Sequence, residues 1–414
     1  MELEKYSFGV GDRFGCQGKW QLKAIMQAKE AGLDIVPVWN KSHREHKAVG
    51  SRPEDVRLEA DQSVQALGWQ GAYHVDADHI NLSNVSEFIG FSDFFTLDIG
   101  DYIGTAPAGQ DKDKFTAEAF EYAGKLKIPG IEEEYQVSPE QIEIIADKYL
   151  FAVREAGKIY RTIEKAKGNG SFITEVSMDE TESPQTPAEL FFILLMISRE
   201  GIPAQTIAPK FTGRFKKGVD YVGDPADFEK EFNQDIAVVQ FAAEEFKLPR
   251  NIKLSVHSGS DKFSIYKPIN RALKKFNAGV HVKTAGTTWL EELIGLAEAG
   301  GGGLEIAKRI YKESLERFDE LTAPYWSVID ISKDRLPSAE EIQVWSSEKF
   351  ADAIRHEPDS KDFNPDMRQL LHVGYKIAAE MGEEYPQALN KYESSISKNV
   401  TNNIYNRHIL PLFG

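Results

Sequence analysis

The sequence predicts an α/β protein: a (β/α)8 TIM-type barrel with a helical insertion after its fourth strand and a C-terminal helical extension. Two observations predict this architecture. Over residues 1–303, eight short β-like runs alternate with amphipathic helical runs. Beyond residue 303 the chain has the pattern of helix alone. An open doubly wound sheet would share the alternation, because periodicity does not show that a sheet closes.

The predicted strands are short runs in which apolar and polar residues alternate. They span residues 6–13, 34–41, 71–79, 93–101, 172–180, 204–211, 251–259 and 279–286. Helices between them carry start and stop signals, such as Pro53 and Gly68 at the two ends of one run. The fourth crossover, about 105–170, is long and mostly helical and predicts the insertion. Residues 304–414 predict an extension packed on a barrel of residues 1–303.

Composition narrows the class of protein. The net charge of −16 argues against nucleic-acid or anionic-membrane partners, which favour basic surfaces. Cys16 is the only cysteine, which excludes intrachain disulfides and cysteine-based metal clusters. The N-terminus lacks the features of a signal peptide, and the most apolar run, 188–201, is too short to span a bilayer. These features predict a cytoplasmic, soluble protein, and they carry no signal for its oligomeric state.

Ionisable residues concentrate at the predicted strand ends, which meet at one mouth of a (β/α)8 barrel. They are Asp12, Arg13, Asp76, Asp78, His79, Asp98, Asp101, Glu175, Asp179, Glu180, Lys210, His257, His281 and Lys283. Converging imidazoles and carboxylates are the ligands of a divalent cation, and they do not distinguish Zn, Mn, Fe, Co or Ni. Each residue alone also has a structural explanation. In a regular strand Asp78 and His79 point to opposite faces, whereas His281 and Lys283 share one.

The loops after strands seven and eight predict an anion site. Ser258 to Ser260 and Thr284 to Thr288 each precede a helix, and Lys262 and Lys283 add positive charge. The alternative is that these small hydroxyl residues only cap helices. The run 9–15 has the spacing G-x-G-x-x-x-G rather than that of a dinucleotide fingerprint, and no acid ends the second strand, so no cofactor-binding residues are predicted.

Several ordered blocks resemble the tagaturonate/fructuronate epimerase family, which includes relatives acting on the ketohexoses tagatose and fructose. They are “GDRFG” (11–15), “DADH” (76–79), “EVSMDETESPQTP” (175–187), “KGVDYVGD” (217–224), “HSGSDKFSIY” (257–266), “HVKTAGTTWLE” (281–291) and “RQLLHVGY” (368–375). The resemblance implies a divalent-metal-dependent isomerase whose substrate is a small keto-uronate or keto-sugar.

The two sugars differ at C4 in ketose numbering, which is β to the carbonyl, so enolisation alone cannot invert it. Retro-aldol cleavage of C3–C4, rotation of the aldehyde and re-addition is the predicted route, with a metal as Lewis acid. Transient oxidation by NAD is the competing route, and the missing fingerprint disfavours it. Asp78 and Glu175 are the predicted proton-transfer pair.

The remaining assignments follow from the strand ends. His79, His257 and His281 are the predicted metal ligands. The predicted substrate-binding residues are Arg13, Asp179, Ser258, Lys262 and Lys283. A metal-dependent aldolase or hydrolase acting on a sugar acid would present the same ligand set, and a non-catalytic sugar-binding protein is a third alternative.

Overall fold

A closed barrel of parallel strands organises the computed structural model, which describes residues 1–284 and 287–414. Its strands are β1 Tyr6–Gly11, β2 Val36–Ser42, β3 His74–Ile80, β4 Phe94–Asp98, β7 Ile173–Ser177, β8 Thr206–Ala208, β9 Lys253–His257 and β10 Val280–Lys283. Their order around the barrel is β1-β10-β9-β8-β7-β4-β3-β2. Each overlaps one of the eight predicted strands, so the closed (β/α)8 fold is confirmed and the open sheet is excluded.

Helices cover the outside of the barrel. They are α1 Gly18–Glu30, α2 His43–Val49, α3 Pro53–Leu67, α4 Val85–Phe88, α7 Pro187–Arg199, α8 Pro225–Glu245, α9 Phe263–Phe276 and α10 Thr287–Ala299. Helix α3 begins at Pro53 and ends before Gly68, whose φ of 62° suits glycine at a helix C-terminus. Helix α7 buries residues 190–197 on all sides, which explains its continuous apolar run. Within the described ranges, no helix combines the length and apolar character that crossing a bilayer requires.

The insertion after β4 contains two helices and a hairpin. Its elements are α5 Gly109–Ala119, β5 Gly124–Leu126, β6 Tyr135–Val137 and α6 Pro139–Lys167, with short 3-10 turns at Gly100–Tyr102 and Phe120–Tyr122. Helix α6 packs beside α7, where Lys148 Nζ and Tyr149 Oη donate to Glu189 at 2.8 and 3.0 Å. The antiparallel hairpin was not predicted, because strands of three residues are too short to establish a hydrophobic period.

The C-terminal extension is helical, as predicted. It contains α11 Gly301–Glu316, α12 Phe318–Thr322, α13 Ala339–Gln343, α14 Ser347–Ile354, α15 Pro365–Val373, α16 Tyr375–Glu380, α17 Glu384–Lys391, α18 Glu393–Asn402, a π-helix at Asn403–Ile409 and α19 Leu410–Phe413, with 3-10 turns at Ala323–Tyr325 and Lys333–Arg335. Helix α18 approaches α10 so closely that a Cβ on Gly295 would lie 2.5 Å from the Cα of Ile396. Trp289 Nε1 donates to the carbonyl of Leu371 at 2.7 Å, which ties α10 to α15.

The barrel interior changes character along its axis. Leu3, Val38, Phe94 and Ile173 form a small apolar cluster inside the barrel. Nearer the carboxyl ends of the strands the interior residues are polar and buried, including Asp76, Thr96, Glu175 and Lys283. The apolar cluster closes one end of the barrel, and the polar residues face the other.

Candidate active site

Lys283 lies at the centre of a buried ionic cluster near the carboxyl ends of the strands. Its Nζ is 2.7 Å from Asp76 Oδ2, 2.9 Å from Asp78 Oδ1 and 2.9 Å from Glu175 Oε1. It also donates to Thr96 Oγ1 at 2.5 Å. The predicted role of Lys283 was to bind a substrate anion, but its ammonium is surrounded by carboxylates of the protein itself.

The three carboxyl groups around Lys283 differ in proton affinity. Burial raises the pKa of Asp76 to about 6, because desolvation outweighs the attraction of Lys283. Burial acts in the same direction on Asp78 and Glu175, but Lys283 and neighbouring histidines hold the pKa of each well below its usual range. Lys283 and these histidines therefore hold Asp78 and Glu175 ionised, while the carboxyl of Asp76 exchanges its proton near pH 6.

Backbone geometry at the end of β3 brings Asp78 and His79 to the same side. His79 has a φ of 52°, in the left-handed region, and the pairing of β3 with β4 shifts register between Ala77 and Ile80. The strict alternation expected from the sequence is broken there. As a result His79 Nδ1 lies 2.9 Å from Asp78 Oδ1. Non-glycine residues with positive φ carry strain and concentrate at functional sites.

Two histidines and an aspartate converge beside the Lys283 cluster. His79 Nε2 and His257 Nδ1 lie 3.3 and 3.1 Å from Asp179 Oδ1, and the three ligand atoms are within 4.8 Å of one another. Both ring nitrogens of His257 face carboxylates, since Nδ1 is next to Asp179 and Nε2 contacts Glu175 Oε1 at 2.8 Å. Two imidazole nitrogens and a carboxylate oxygen form a donor set that fits a divalent transition metal.

Charge in this trio also favours a cation. Burial opposes protonation of His257, but Asp179 and Glu175 outweigh it and raise the pKa to about 9. The pKa of His79 is likewise raised, against burial, by Asp78 and Asp179. A metal and two protons would compete for the same negative charge, so metal binding at this trio should release protons.

His281, the third predicted ligand, is not part of this group. Its Nδ1 hydrogen-bonds Ser7 Oγ at 2.8 Å, and its ring lies 5.2 Å from that of Phe94. Two residues before Lys283 on β10, it occupies a deeper layer of the barrel. Complete burial lowers its pKa to about 3, so the ring is neutral. Asp179, predicted to bind substrate, occupies the place in the trio that the sequence assigned to His281.

Ser258 and Lys262 bond to the protein rather than facing a free surface. Ser258 Oγ donates to the carbonyl of Lys283 at 2.6 Å, which ties the end of β9 to β10. Lys262 is fully buried, and its Nζ donates to the carbonyl of Val219 and to Ser260 Oγ, both at 2.9 Å. Burial lowers the pKa of Lys262 to about 7. Both predicted anion-binding side chains thus use their donors to fix loops at the mouth.

Asp261, between them, anchors the same loop to the C-terminal extension. This fully buried carboxylate accepts from Arg368 Nη2 at 2.7 Å, His408 Nε2 at 3.0 Å and His356 Nδ1 at 3.1 Å. It also accepts from Thr287 Oγ1 at 2.9 Å. In the predicted anion loop 284–288, residues 285 and 286 lie outside the described structure, and Thr287 begins α10.

Arg13, at the end of β1, contacts both barrel and extension. Its Nε is 3.3 Å from Glu45 Oε1, and its Nη1 donates to the carbonyl of His372 at 3.3 Å. The guanidinium lies 4.0 Å from the ring centre of Tyr375. The extension therefore reaches the carboxyl mouth of the barrel, a point that the sequence left open.

Comparison with known proteins identifies the family. A sequence model described as UxaE, tagaturonate epimerase, matches residues 1–410. The chain belongs to the tagaturonate epimerase family. A tagaturonate/fructuronate epimerase of Thermotoga maritima is 30% identical over 424 residues, which cover 97% of this chain and 80% of that protein. As a member of the family, the chain is an epimerase, in the isomerase class.

Solved structures of this epimerase family agree with the fold. A glycerol-bound crystal structure of the fructuronate-tagaturonate epimerase UxaE from Cohnella laeviribosi superposes with a TM-score of 0.81 at 25% identity. The match covers 100% of this chain and 82% of that one. The native structure of the same enzyme gives a TM-score of 0.79 at 24% identity, over 100% and 82% of the two chains.

In this epimerase, some site residues could not be selected from the strand-end pattern. Asp76 was noted there but not assigned a role, because nothing local distinguishes it from Asp78. Its position opposite Lys283 depends on barrel closure between β10 and β1. Asp261 was seen only as part of a polar loop, because its partners in the C-terminal extension lie 95 to 147 residues further along the chain.

Proposed function

We propose that this chain interconverts tagaturonate and fructuronate by inverting C4 in ketose numbering, with a divalent cation bound at the mouth of the barrel. The proposal rests on the named activity of its relatives. The observation that carries it is the convergence of His79, Asp179 and His257 beside the Lys283 carboxylate cluster. A metal site next to a proton-exchanging cluster suits a reaction that both polarises a carbonyl and moves a proton.

In this proposal His79, Asp179 and His257 hold the cation. A bound Zn, Mn, Fe, Co or Ni ion would supply Lewis acidity toward the ketone end of the substrate. The shared position of His79 Nε2 and His257 Nδ1, 3.3 and 3.1 Å from one oxygen of Asp179, supports this assignment, because two imidazoles and a carboxylate are common ligands of such ions. His281 keeps a structural role in the layer below.

Proton transfer is assigned to the carboxylates around Lys283. A base removes the C4 hydroxyl proton, the C3–C4 bond breaks, and its electron pair remains on the C3 fragment as an enediolate. The C4 carbon becomes an aldehyde, rotates and accepts C3 on its opposite face, and the proton returns to oxygen. No oxidant is needed.

Glu175 is the favoured base among these carboxylates. Its Oε2 is buried and makes no hydrogen bond among the described residues, whereas its Oε1 contacts Lys283 and His257. Asp78 remains its proposed partner, since it lies 2.9 Å from the same ammonium. Lys283 would stabilise the ionised pair, and Asp76, with its pKa of about 6, would supply an exchangeable proton.

The activity is tested on chelator-stripped protein incubated with tagaturonate, and separately with tagatose, with and without Mn²⁺ or Zn²⁺. Chromatography against fructuronate and fructose follows the product. Metal-restored formation of fructuronate is the expected result. Accumulation of two smaller fragments would instead indicate an aldolase, and no conversion with any metal would refute the epimerase assignment.

The metal site is tested separately by elemental analysis of the purified variants. His257→Ala and Asp179→Asn should each lose most bound metal. His281→Gln is the matched control, because it removes an imidazole outside the trio and should retain the wild-type metal content. Equal metal in all three variants would refute the ligand assignment, and loss only in His281→Gln would restore the original ligand prediction.

A further inference from the structure

Three cationic side chains from different loops line the mouth of the barrel close to two tyrosines of the extension. Arg13 follows β1, Arg44 lies in α2 after β2, and Lys217 lies in the loop after β8. The centre of the Tyr325 ring is 5.5 Å from the Arg44 guanidinium carbon and 5.9 Å from Lys217 Nζ. Tyr325 Oη hydrogen-bonds Tyr375 Oη at 3.1 Å, and Tyr375 packs on Arg13.

Lys217 differs from the two arginines in its pairing. Arg13 has Glu45 at 3.3 Å, and Arg44 has Glu180 at 3.8 Å. Across residues 1–284 and 287–414, no carboxylate lies within 4.0 Å of Lys217 Nζ and no acceptor is within hydrogen-bonding distance. Burial lowers the pKa of Lys217, and Arg44 adds to the effect. A cation in this setting gains more from an anionic ligand than a solvated surface lysine does.

His372, which contributes a second polar group, lies next to the Lys217 loop. His372 is 1% exposed, and neither nitrogen of its ring has a hydrogen-bond partner among the described residues. A Cβ at Gly218 would be only 3.3 Å from His372 Cβ, so His372 lies against the residue after Lys217. Burial and the nearby Arg13 and Lys217 lower its pKa, so the imidazole is neutral and has one N–H to donate.

This group adjoins the proposed metal site. Lys217 Nζ is 3.8 Å from the Cβ position of Gly259, two residues beyond His257. Glu180, the partner of Arg44, directly follows Asp179. The unpaired ammonium thus lies beside the loops that carry two of the three proposed metal ligands.

We propose that Lys217, assisted by the N–H of His372, binds the carboxylate of a keto-uronate and gives this enzyme a preference for sugar acids over neutral ketohexoses. The inference rests on the proposed function and specifies its substrate class. It moves the carboxylate site away from Ser258, Lys262 and Lys283, whose donors bond to protein groups. The carboxylate is at the opposite end of the sugar from the ketone, so the proposal assigns the ketone end to the metal trio and the carboxylate end to Lys217.

Calorimetry with galactonate and galactitol tests the proposal directly, because these non-reacting polyols differ by a carboxylate in place of one hydroxymethyl group. Wild-type protein should bind galactonate at least about tenfold more tightly, equivalent to about 1.4 kcal/mol. Lys217→Met should remove that preference and leave galactitol binding unchanged. Lys216→Met is the matched control, because Lys216 is the adjacent residue and already pairs with Asp330.

The titrations are run on metal-loaded and on chelator-stripped protein, so that a carboxylate bound by the metal is distinguished from one bound by Lys217. Any of three results would overturn the proposal: wild-type protein binds the two polyols equally, Lys217→Met keeps the preference for galactonate, or the preference is seen only with metal bound. In kinetic assays the variant should raise KM for tagaturonate more than it lowers kcat. If wild-type protein prefers galactonate through Lys217 but never converts tagaturonate, the proposed function fails while the carboxylate site stands.

Discussion

Replacing Lys283 by methionine removes the ammonium that Asp76, Asp78 and Glu175 share inside the barrel. Lys283 is 3% exposed, so water cannot take over its role. Removing one partner of a buried ion pair costs about 3–5 kcal/mol, because the remaining charge is left uncompensated. We expect Lys283→Met to lower the free energy of unfolding by this amount at pH 7.5, where Asp78 and Glu175 of the wild-type protein are both ionised.

The loss should be smaller at pH 5.5. Without the ammonium, folded-state carboxyl pKa values rise above their unfolded values, so the folded variant binds more protons than its unfolded chain. Its stability is then greatest at low pH and falls as pH rises through the raised folded-state pKa values. The difference between wild type and variant should grow by at least about 1.4 kcal/mol, one pKa unit, between pH 5.5 and 7.5.

Urea unfolding monitored by circular dichroism at the two pH values measures this difference. Lys253→Met is the matched control: Lys253 is also buried, but its Nζ donates to the backbone carbonyls of Leu3 and Glu4. Its loss should cost about 1–3 kcal/mol at both pH values, because backbone carbonyls do not titrate and the pKa of Lys253, which burial lowers to about 8, lies above both. An equal cost of Lys283→Met at both pH values would contradict the ionic account of the barrel interior.

Two further predictions concern packing and pH. Gly295→Ala should lower the free energy of unfolding by about 1–3 kcal/mol, since the new Cβ would meet the backbone of Ile396. Gly157→Ala is the control and should be neutral or stabilising, because the atoms that its Cβ would meet are the ends of flexible side chains. Equal effects of the two variants in urea unfolding would refute the close contact between α10 and α18. Burial opposes protonation of His74, but Asp93 outweighs it and raises the pKa of His74 to about 9 in the folded protein. The contribution of protonated His74 to the free energy of unfolding is therefore complete below the unfolded pKa of about 6.5, and it disappears as the pH rises through 9. His74→Gln should therefore cost about 3 kcal/mol at pH 6 and much less at pH 9.5, and a pH-independent cost would count against this ion pair.

The barrel could be predicted because its strands and helices each have their own hydrophobic period, and eight repeats of the pair leave few architectures. Strand-end chemistry was also informative, since closure brings the ends together and places His79, Glu175, His257 and Lys283 at one mouth. The pairing of individual atoms could not be predicted. The sequence indicates that His281 and Lys283 lie on the same face of their strand. It does not specify how deep His281 lies in the barrel, and that depth decides whether His281 reaches the metal trio.

Other features required tertiary structure. The positive φ of His79 and the register shift beside it override the alternation that separates Asp78 from His79. The Lys217 group is assembled from loops and from the extension, so no local pattern marks it. Residues 217–224 and 368–375 were recognised only as family blocks, without a role.

The anchoring of Asp261 has a consequence for synthesis of the chain on the ribosome. Its partner His408 is made 147 residues later. At about 5–20 residues per second, this delay is about 7–30 seconds. Throughout that interval the carboxylate of Asp261 lacks its hydrogen bond from His408, so the loop after β9 lacks one of the contacts that hold it. The mouth of the barrel therefore acquires its final form late, after the eight strands themselves have been made.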